Sequence, residues 1–257
     1  GVPVIVGADR YAAIERAGRE GASFDCVVLD DGFQHRRLHR DLDLVLIDRR
    51  RPGLDDRVLP AGWLREPPSA LARADGVIVS HAEAPDAALA AAIERWHGRP
   101  PLAWFRHAWK GLTLHRPGDV DTVVQVNWLR GCRVLTSLGI GQPAGVEGAA
   151  LDAGATIVAR FPRGDHARYD RRDVEKLARA CRDVDALLVT AKDWAKLGRL
   201  IHSGFPVPVV VPMLEFQPVA GAEALIEALR AACRCGAAIP RPRSSAATGA
   251  AEGTTAP

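Results

Sequence analysis

Short apolar runs alternate with segments of helical period along most of the chain. Leu44 to Ile47, Ala74 to Ser80, Arg133 to Leu138, Ala155 to Phe161, Ala186 to Thr190 and Val207 to Val211 have the length and β-branched content of buried strands. Val2 to Val6 and Val27 to Leu29 read the same way. Helices are predicted over Arg10 to Arg19, Asp86 to Trp96, Pro143 to Ala153, Asp170 to Cys181, Lys192 to Leu200 and Ala222 to Cys233. Capping chemistry marks their ends: Asp9 stands before the first, Gly21 follows it, and Gly98-Arg99-Pro100-Pro101 stops the second. Strands alternating with helices predict an α/β protein.

Leu102 to Leu114, LAWFRHAWKGLTL, alternates aromatic and basic residues, which suits an exposed ribbon strand. Trp104, Phe105, Trp109, Arg106, His107 and Lys110 also have the chemistry to rest on a membrane interface, so both readings stand. From Gly236 the chain turns to Ala, Pro, Ser, Thr and Gly, a composition that cannot bury a core and predicts a disordered tail.

The polar stretch between two apolar runs carries the most chemistry. In CVVLDDGFQHRRLHRDLDLVLID, Cys26 to Asp48, each run ends on an aspartate, and Asp30, Asp31, Gln34, His35, Arg36, Arg37, His39 and Arg40 lie between them. A strand that delivers a carboxylate pair to its C-terminal end, followed by Gly32 and a basic loop, suits a magnesium and phosphate site. A charged loop between two core strands is the plain alternative, with His39 as a solvated histidine.

Composition narrows the class without naming a chemistry. The 257 residues can bury one large core or two modest ones, and 47% hydrophobic with 25% charged residues is ordinary for a globular protein. A net charge of +3 is too small to argue for nucleic acid, and no apolar run is long enough for a spanning helix. Most cations are arginines, which grip phosphate bidentately. The five cysteines follow no zinc or redox spacing, and Cys26 and Cys132, at the heads of apolar runs, are expected to be buried thiols. Gly139-Ile140-Gly141 lacks the third glycine of a dinucleotide loop and reads as a tight strand-to-helix turn.

DDGFQH followed by RLHRDLDLVLID resembles the second nucleotide-site motif of the tetraacyldisaccharide 4'-kinase family, the lipid A 4'-kinases. VLPAGWLRE (Val58 to Glu66), ADGVIVS (Ala74 to Ser80), GIGQP (Gly139 to Pro143), Asp165-His166 and LVTAKD (Leu188 to Asp193) agree in order. Together they cover roughly Gly1 to Cys235 and are specific in combination.

The resemblance implies a P-loop-NTPase-like, mostly parallel sheet with a smaller α/β lobe joined by a two-stranded ribbon. The expected division is a partial nucleotide and magnesium lobe over 1–100, a ribbon over 101–130, a second lobe over 131–235 and the tail over 236–257. It implies transfer of the ATP γ-phosphate to the 4'-hydroxyl of a tetraacyldisaccharide 1-phosphate, with Mg2+, at the inner face of the cytoplasmic membrane as a peripheral protein.

On that basis Asp30 and Glu66 are the expected magnesium ligands, and Asp31, expected with His166 in the catalytic set, either completes that shell or orients its basic neighbours. Arg10, Gln34, His35 and Arg65 are expected to contact phosphate or substrate. His166 is the expected catalytic histidine, half of a pair with a carboxylate that the family carries further upstream. Asp193 matches a family motif, and a helix cap is its plainer reading.

No G-x-x-x-x-G-K-[ST] pattern occurs, and the chain opens on an apolar segment without methionine. The expectation is therefore a chain lacking its phosphate loop, with weak ATP binding and little turnover alone. Two rivals remain, a non-catalytic lipid- or partner-binding relic and another nucleotide-dependent α/β transferase.

Overall fold

The computed structural model describes residues 2–116, 118–164, 168–201 and 204–234. His166 lies outside the described residues, as does the tail from Cys235 on. Two compact units divide the chain: Gly1–Arg106 together with the chain from Pro218 onward, and His107–Gln217. Both are built on the alternation of strand and helix, and the sheet is mostly parallel, as the α/β reading expected.

In the first unit, β1 (Leu44–Asp48), β2 (Gly76–Ser80) and the start of β3 (Ala103–His115) run parallel. β1 meets β2 in unbroken register from Leu44 opposite Gly76 to Asp48 opposite Ser80. All five residues of β2 are buried, as a strand covered on both faces requires. Helix α1 (Arg10–Arg19) starts where Asp9 accepts from the Ala12 amide at 3.1 Å. Helix α2 (Ala87–His97) starts where Asp86 accepts from Leu89 at 3.1 Å, and Gly98 ends it with a φ of 82°. Ile47, Val77, Val79, Leu89, Ile93 and Trp104 form the core, and Ile78, Ala103 and Phe105 pack on the other side with Leu225 of the last helix.

The second unit continues β3, which pairs antiparallel with β4 (Thr122–Val124). β5 (Arg133–Thr136), β6 (Thr156–Arg160), β7 (Ala186–Leu188) and β8 (Val209–Ala220) form a parallel set in the order β8-β7-β5-β6. Helices α3 (Pro143–Asp152), α4 (Arg171–Ala180) and α5 (Ala191–Leu197) connect them. Asp170 and Asp173 make a reciprocal capping box on α4. Two strands, β3 of 13 residues and β8 of 12, carry the chain between the units, and α6 (Ala222–Arg234) follows.

Several expectations change. Val2–Val6 and Val27–Leu29 join no ladder among the described residues. Strand composition is present there, but a strand exists only where a neighbour accepts its backbone groups. Val2, Val4, Val6 and Val28 are consequently exposed, at 83 to 88%. Cys26 is exposed for the same reason and Cys132 is only half-buried; Cys181 is the buried thiol, and burial pushes it up to about 12. β8 extends to Ala220, well past the apolar run at Val207 to Val211, because its later half carries alternating exposure that an apolar count misses.

Trp104 and Phe105 are core residues at 6 and 7% exposure, which removes them from any membrane-facing surface. No helix among the described residues is long and apolar enough to cross a membrane.

Candidate functional site

The loop after Leu29 is shaped by backbone conformation first. Asp31 adopts a φ of 50°, and a Cβ on Gly32 would lie 2.6 Å from the Leu29 Cβ, so the turn needs glycine at that point. His35 N donates to Gly32 O at 2.9 Å, and buried Leu38 anchors the loop from below.

Arg40 is the staple. Its Nη1 donates to the carbonyls of Gly32 at 3.1 Å and His35 at 2.6 Å, while Nη2 and Nε reach Asp43 at 2.9 and 2.6 Å. The side chains of Arg40 and Asp43 are only 9 and 12% exposed, so this pair is a structural fixture and not a surface decoration. Nothing in the residue spacing singled out Arg40 from its four basic neighbours; only its burial does.

Four predicted residues line one cavity of about 310 Å³ beside β1: Asp31, Gln34, Arg65 and Glu66. Its walls are otherwise largely apolar, from Phe33, Val45, Ile47, Leu54, Leu64 and Leu71, and Asp48 and Arg51 add further charge. An apolar hollow with a few converging polar groups is the usual form of a small-molecule site. Three other predicted residues, none of which lines this cavity, meet one another. The Arg10 guanidinium contacts Nε2 of His35, and its Nη2 donates to the Asp30 carbonyl at 3.4 Å. A second hollow of about 540 Å³ lies along Gly7, Asp9 and Arg16, and no candidate residue lines it.

The acidic candidates differ in their partners. Asp31 meets Arg65 at 3.3 Å, both largely exposed. Glu66 is gripped by both arms of Arg73, at 2.9 and 3.1 Å, and Arg73 in turn sits 4.4 Å over the Phe33 ring. Asp30 is exposed, with no ion pair to a described residue. Among the described residues no group of three or more His, Cys, Asp or Glu is placed to hold a metal ion.

A further cluster at the strand ends went unread in the sequence. Asp48 closes β1 and His81 directly follows β2, with a φ of 56°. His81 Nδ1 lies 3.2 Å from Asp48 Oδ1, and Arg50 Nη2 lies 3.1 Å from Asp48 Oδ2 and 2.9 Å from His81 Nε2. An arginine can only donate, so Nε2 accepts and the proton sits on Nδ1, the neutral tautomer whose Nδ1 faces Asp48. Burial opposes charge on Asp48, but hydrogen bonds from Arg50 outweigh it and hold the carboxyl below its ordinary value. Burial also lowers His81; Asp48 pulls it up and Arg50 pushes it down, with a net lowering. The signal in the sequence was the strand-terminal aspartate, which parallel sheets present at their ligand-binding edge.

In the second unit, Asp193 is fully buried at the third position of α5. Its Oδ2 accepts from Thr190 Oγ1 at 2.6 Å and from the Gly139 amide at 3.0 Å, while Thr190 Oγ1 accepts from the Asp193 amide at 3.1 Å. Thr190 is thus the cap, and Asp193 ties the helix start to the turn after β5.

A family model described as LpxK, tetraacyldisaccharide-1-P 4'-kinase, matches residues 1–234. A tetraacyldisaccharide 4'-kinase of Geobacter sulfurreducens is 38% identical over 219 residues, 85% of this chain and 59% of that protein. One from Geobacter metallireducens is 37% identical over 206 residues, 78% of this chain and 57% of its own. One from Syntrophus aciditrophicus is 33% identical over 241 residues, 88% of this chain and 63% of its own. A crystal structure described as the "apo" form of LpxK from Aquifex aeolicus in complex with ATP aligns at a TM-score of 0.49 and 24% identity, over 78% of this chain and 55% of that one. The chain spans 57 to 63% of the length of these three curated relatives. With the family model matching from residue 1 to residue 234, the chain belongs to the tetraacyldisaccharide-1-P 4'-kinase family, LpxK.

Proposed function

We propose that this chain contributes the magnesium and phosphate face of a tetraacyldisaccharide 4'-kinase, a lipid A biosynthesis enzyme that moves the ATP γ-phosphate to the 4'-hydroxyl of a tetraacyldisaccharide 1-phosphate. The observation that carries the reading is the convergence of Asp31, Gln34, Arg65 and Glu66 on one cavity. Phosphoryl transfer is mainly positioning and charge neutralisation, and these residue types supply both. Arg65 offers a planar fork to phosphate oxygens, and its exposed pairing with Asp31 is weak enough to be exchanged for a ligand. Arg10, already against His35, adds a second guanidinium, and Gln34 and His35 give the neutral donors.

The carboxylates of Asp30 and Glu66 would hold Mg2+. Asp30 is exposed and unpaired with any described cation, and Glu66 reaches the cavity wall from its Arg73 clamp. Mg2+ is commonly held by one or two carboxylates with waters and substrate phosphates, so a site of two hard ligands suits it better than an all-protein cage. When bound, the ion supplies charge neutralisation on the transferring group. Asp31 orients Arg65, and His166 enters the proposal through its motif as the group near the sugar hydroxyl. The partners in this reading are ATP, the lipid A disaccharide precursor and the inner face of the cytoplasmic membrane, where the protein is peripheral.

The test is a chimera in which this chain replaces the aligned segment of the Geobacter sulfurreducens relative, supplied with labelled ATP, Mg2+ and the disaccharide 1-phosphate. The expected outcome is a 4'-phosphorylated product, with Arg65→Ala and Glu66→Gln each lowering kcat/KM about a hundredfold. A folded chimera that transfers no phosphate sinks the reading.

A further inference from the structure

The segment from Arg49 to Arg65 folds back on itself into a firm protrusion of the first unit. Leu59 N donates to Leu64 O at 2.8 Å, Leu64 N to Arg57 O at 3.1 Å, and Ala61 N to Val58 O at 3.0 Å. The Asp56 carboxylate accepts from the amides of Arg57 at 2.8 Å and Trp63 at 3.1 Å. Gly62 lets the two arms approach, since a Cβ there would stand 2.2 Å from Arg57 O. Leu54 is buried and Leu64 half-buried, so the base of the loop is packed.

Its tip has the opposite character. Trp63 is 73% exposed, Leu59 57% and Val58 37%. A loop held by five such bonds has no freedom to tuck these side chains away, so their exposure is built in. Five arginines and two aspartates fall between residues 49 and 65. Three of the arginines are engaged with carboxylates: Arg49 with Asp86, Arg50 with Asp48 and Arg65 with Asp31. Arg51 lies 5.1 Å over the Trp63 ring, and Arg57 is exposed at the root of the tip. One tryptophan and two aliphatic side chains beside exposed guanidiniums match the interfacial layer of an anionic bilayer, where rings sit at headgroup depth and cations meet phosphate.

We propose that the protrusion carrying Val58, Leu59 and Trp63, with Arg51 and Arg57, is the surface by which this protein docks on an anionic lipid bilayer. The inference rests on the peripheral-membrane part of the reading above and assigns that contact to a surface other than β3. Arg65 and Glu66 directly follow the tip, so a docked tip places the candidate site at the lipid headgroups, where an acylated substrate resides.

The test is co-sedimentation of the purified chain with phosphatidylcholine vesicles, with and without phosphatidylglycerol, in the absence of ATP and glycolipid. Binding is expected to need the anionic lipid and to weaken with salt. Leu59→Ser with Trp63→Ser is expected to reduce the vesicle partition coefficient at least about tenfold, and Arg51→Gln with Arg57→Gln about thirtyfold. Quenching of tryptophan fluorescence by brominated lipid is expected in the wild-type chain and reduced in Trp63→Phe, which keeps the loop's bulk. Wild-type binding that both double variants retain overturns the assignment of this loop. Wild-type failure to bind anionic vesicles overturns the membrane contact itself and leaves the phosphoryl-transfer test standing.

Discussion

Asp48 Oδ1 lies 3.2 Å from His81 Nδ1, joining the ends of two neighbouring parallel strands, and Arg50 closes the triangle on both. Burial first, and Arg50 second, lower the His81 value despite the attraction of Asp48. A histidine lowered on folding holds fewer protons in the native state than in the unfolded one. Its contribution is therefore whole above the ordinary value of 6.5 and is lost as pH falls through the native value. Urea unfolding at about pH 8 and about pH 5 is expected to show a stability drop that His81→Asn diminishes. Asparagine tolerates the left-handed backbone at this position, which separates charge from strain.

The Asp48 carboxyl follows the same direction lower on the scale. It is held below 3.8 in the folded chain by Arg50 against burial, so its stabilisation persists above that value and fades in stronger acid. Arg50→Gln is expected to move the acid-unfolding midpoint upward, read by circular dichroism.

Arg40 carries more stability than any neighbouring cation of the loop. Arg40→Ala removes two carbonyl contacts and leaves Asp43 without its partner, at a cost of about 3 kcal/mol or more, measured by chemical denaturation. Arg36→Ala and Arg37→Ala, both exposed, are expected to change stability by less than about 0.5 kcal/mol.

Arg65 is expected to behave in the opposite sense to Arg40. Its pairing with Asp31 is largely exposed, so Arg65→Ala should alter unfolding free energy by no more than about 1 kcal/mol while weakening phosphate-ligand binding. Calorimetric titration with ATP and Mg2+, beside a denaturation curve, separates the two effects.

Asp193 is a test of the second unit. Replacing it with alanine leaves the Gly139 amide and the Thr190 hydroxyl without their acceptor in a buried setting, at about 1 to 3 kcal/mol per unsatisfied group. Hydrogen exchange at Gly139 and over Ala191–Leu197 is expected to accelerate with it.

Local signals recovered most helices almost to the residue, because Asp9, Asp86 and Asp170 cap from within a few positions of the amides they bind; the expected helix over Lys192 to Leu200 shifts to Ala191–Leu197, with Thr190 and not Asp193 as its cap. The strand at Leu44 and the strand at Gly76 were equally plain as apolar runs, although only the second is buried throughout; in the first Ile47 is buried and Leu46 is exposed. Val27–Leu29 has the same composition and pairs with no described strand, since a ladder depends on a neighbour and not on the run itself. The candidate residues Asp31, Gln34, Arg65 and Glu66 were found through motif resemblance, and the cavity joins them across 35 residues of sequence.

Sequence alone determined the α/β class, most of the helix boundaries and the family, because periodicity, capping and ordered motifs are properties of neighbouring residues. Tertiary structure decided which arginine staples the loop, which carboxylate is already clamped and which aromatics face water. Arg40, Glu66 and Trp63 differ from Arg37, Asp30 and Trp104 in burial and partners, and those are set by segments brought together only when the chain folds.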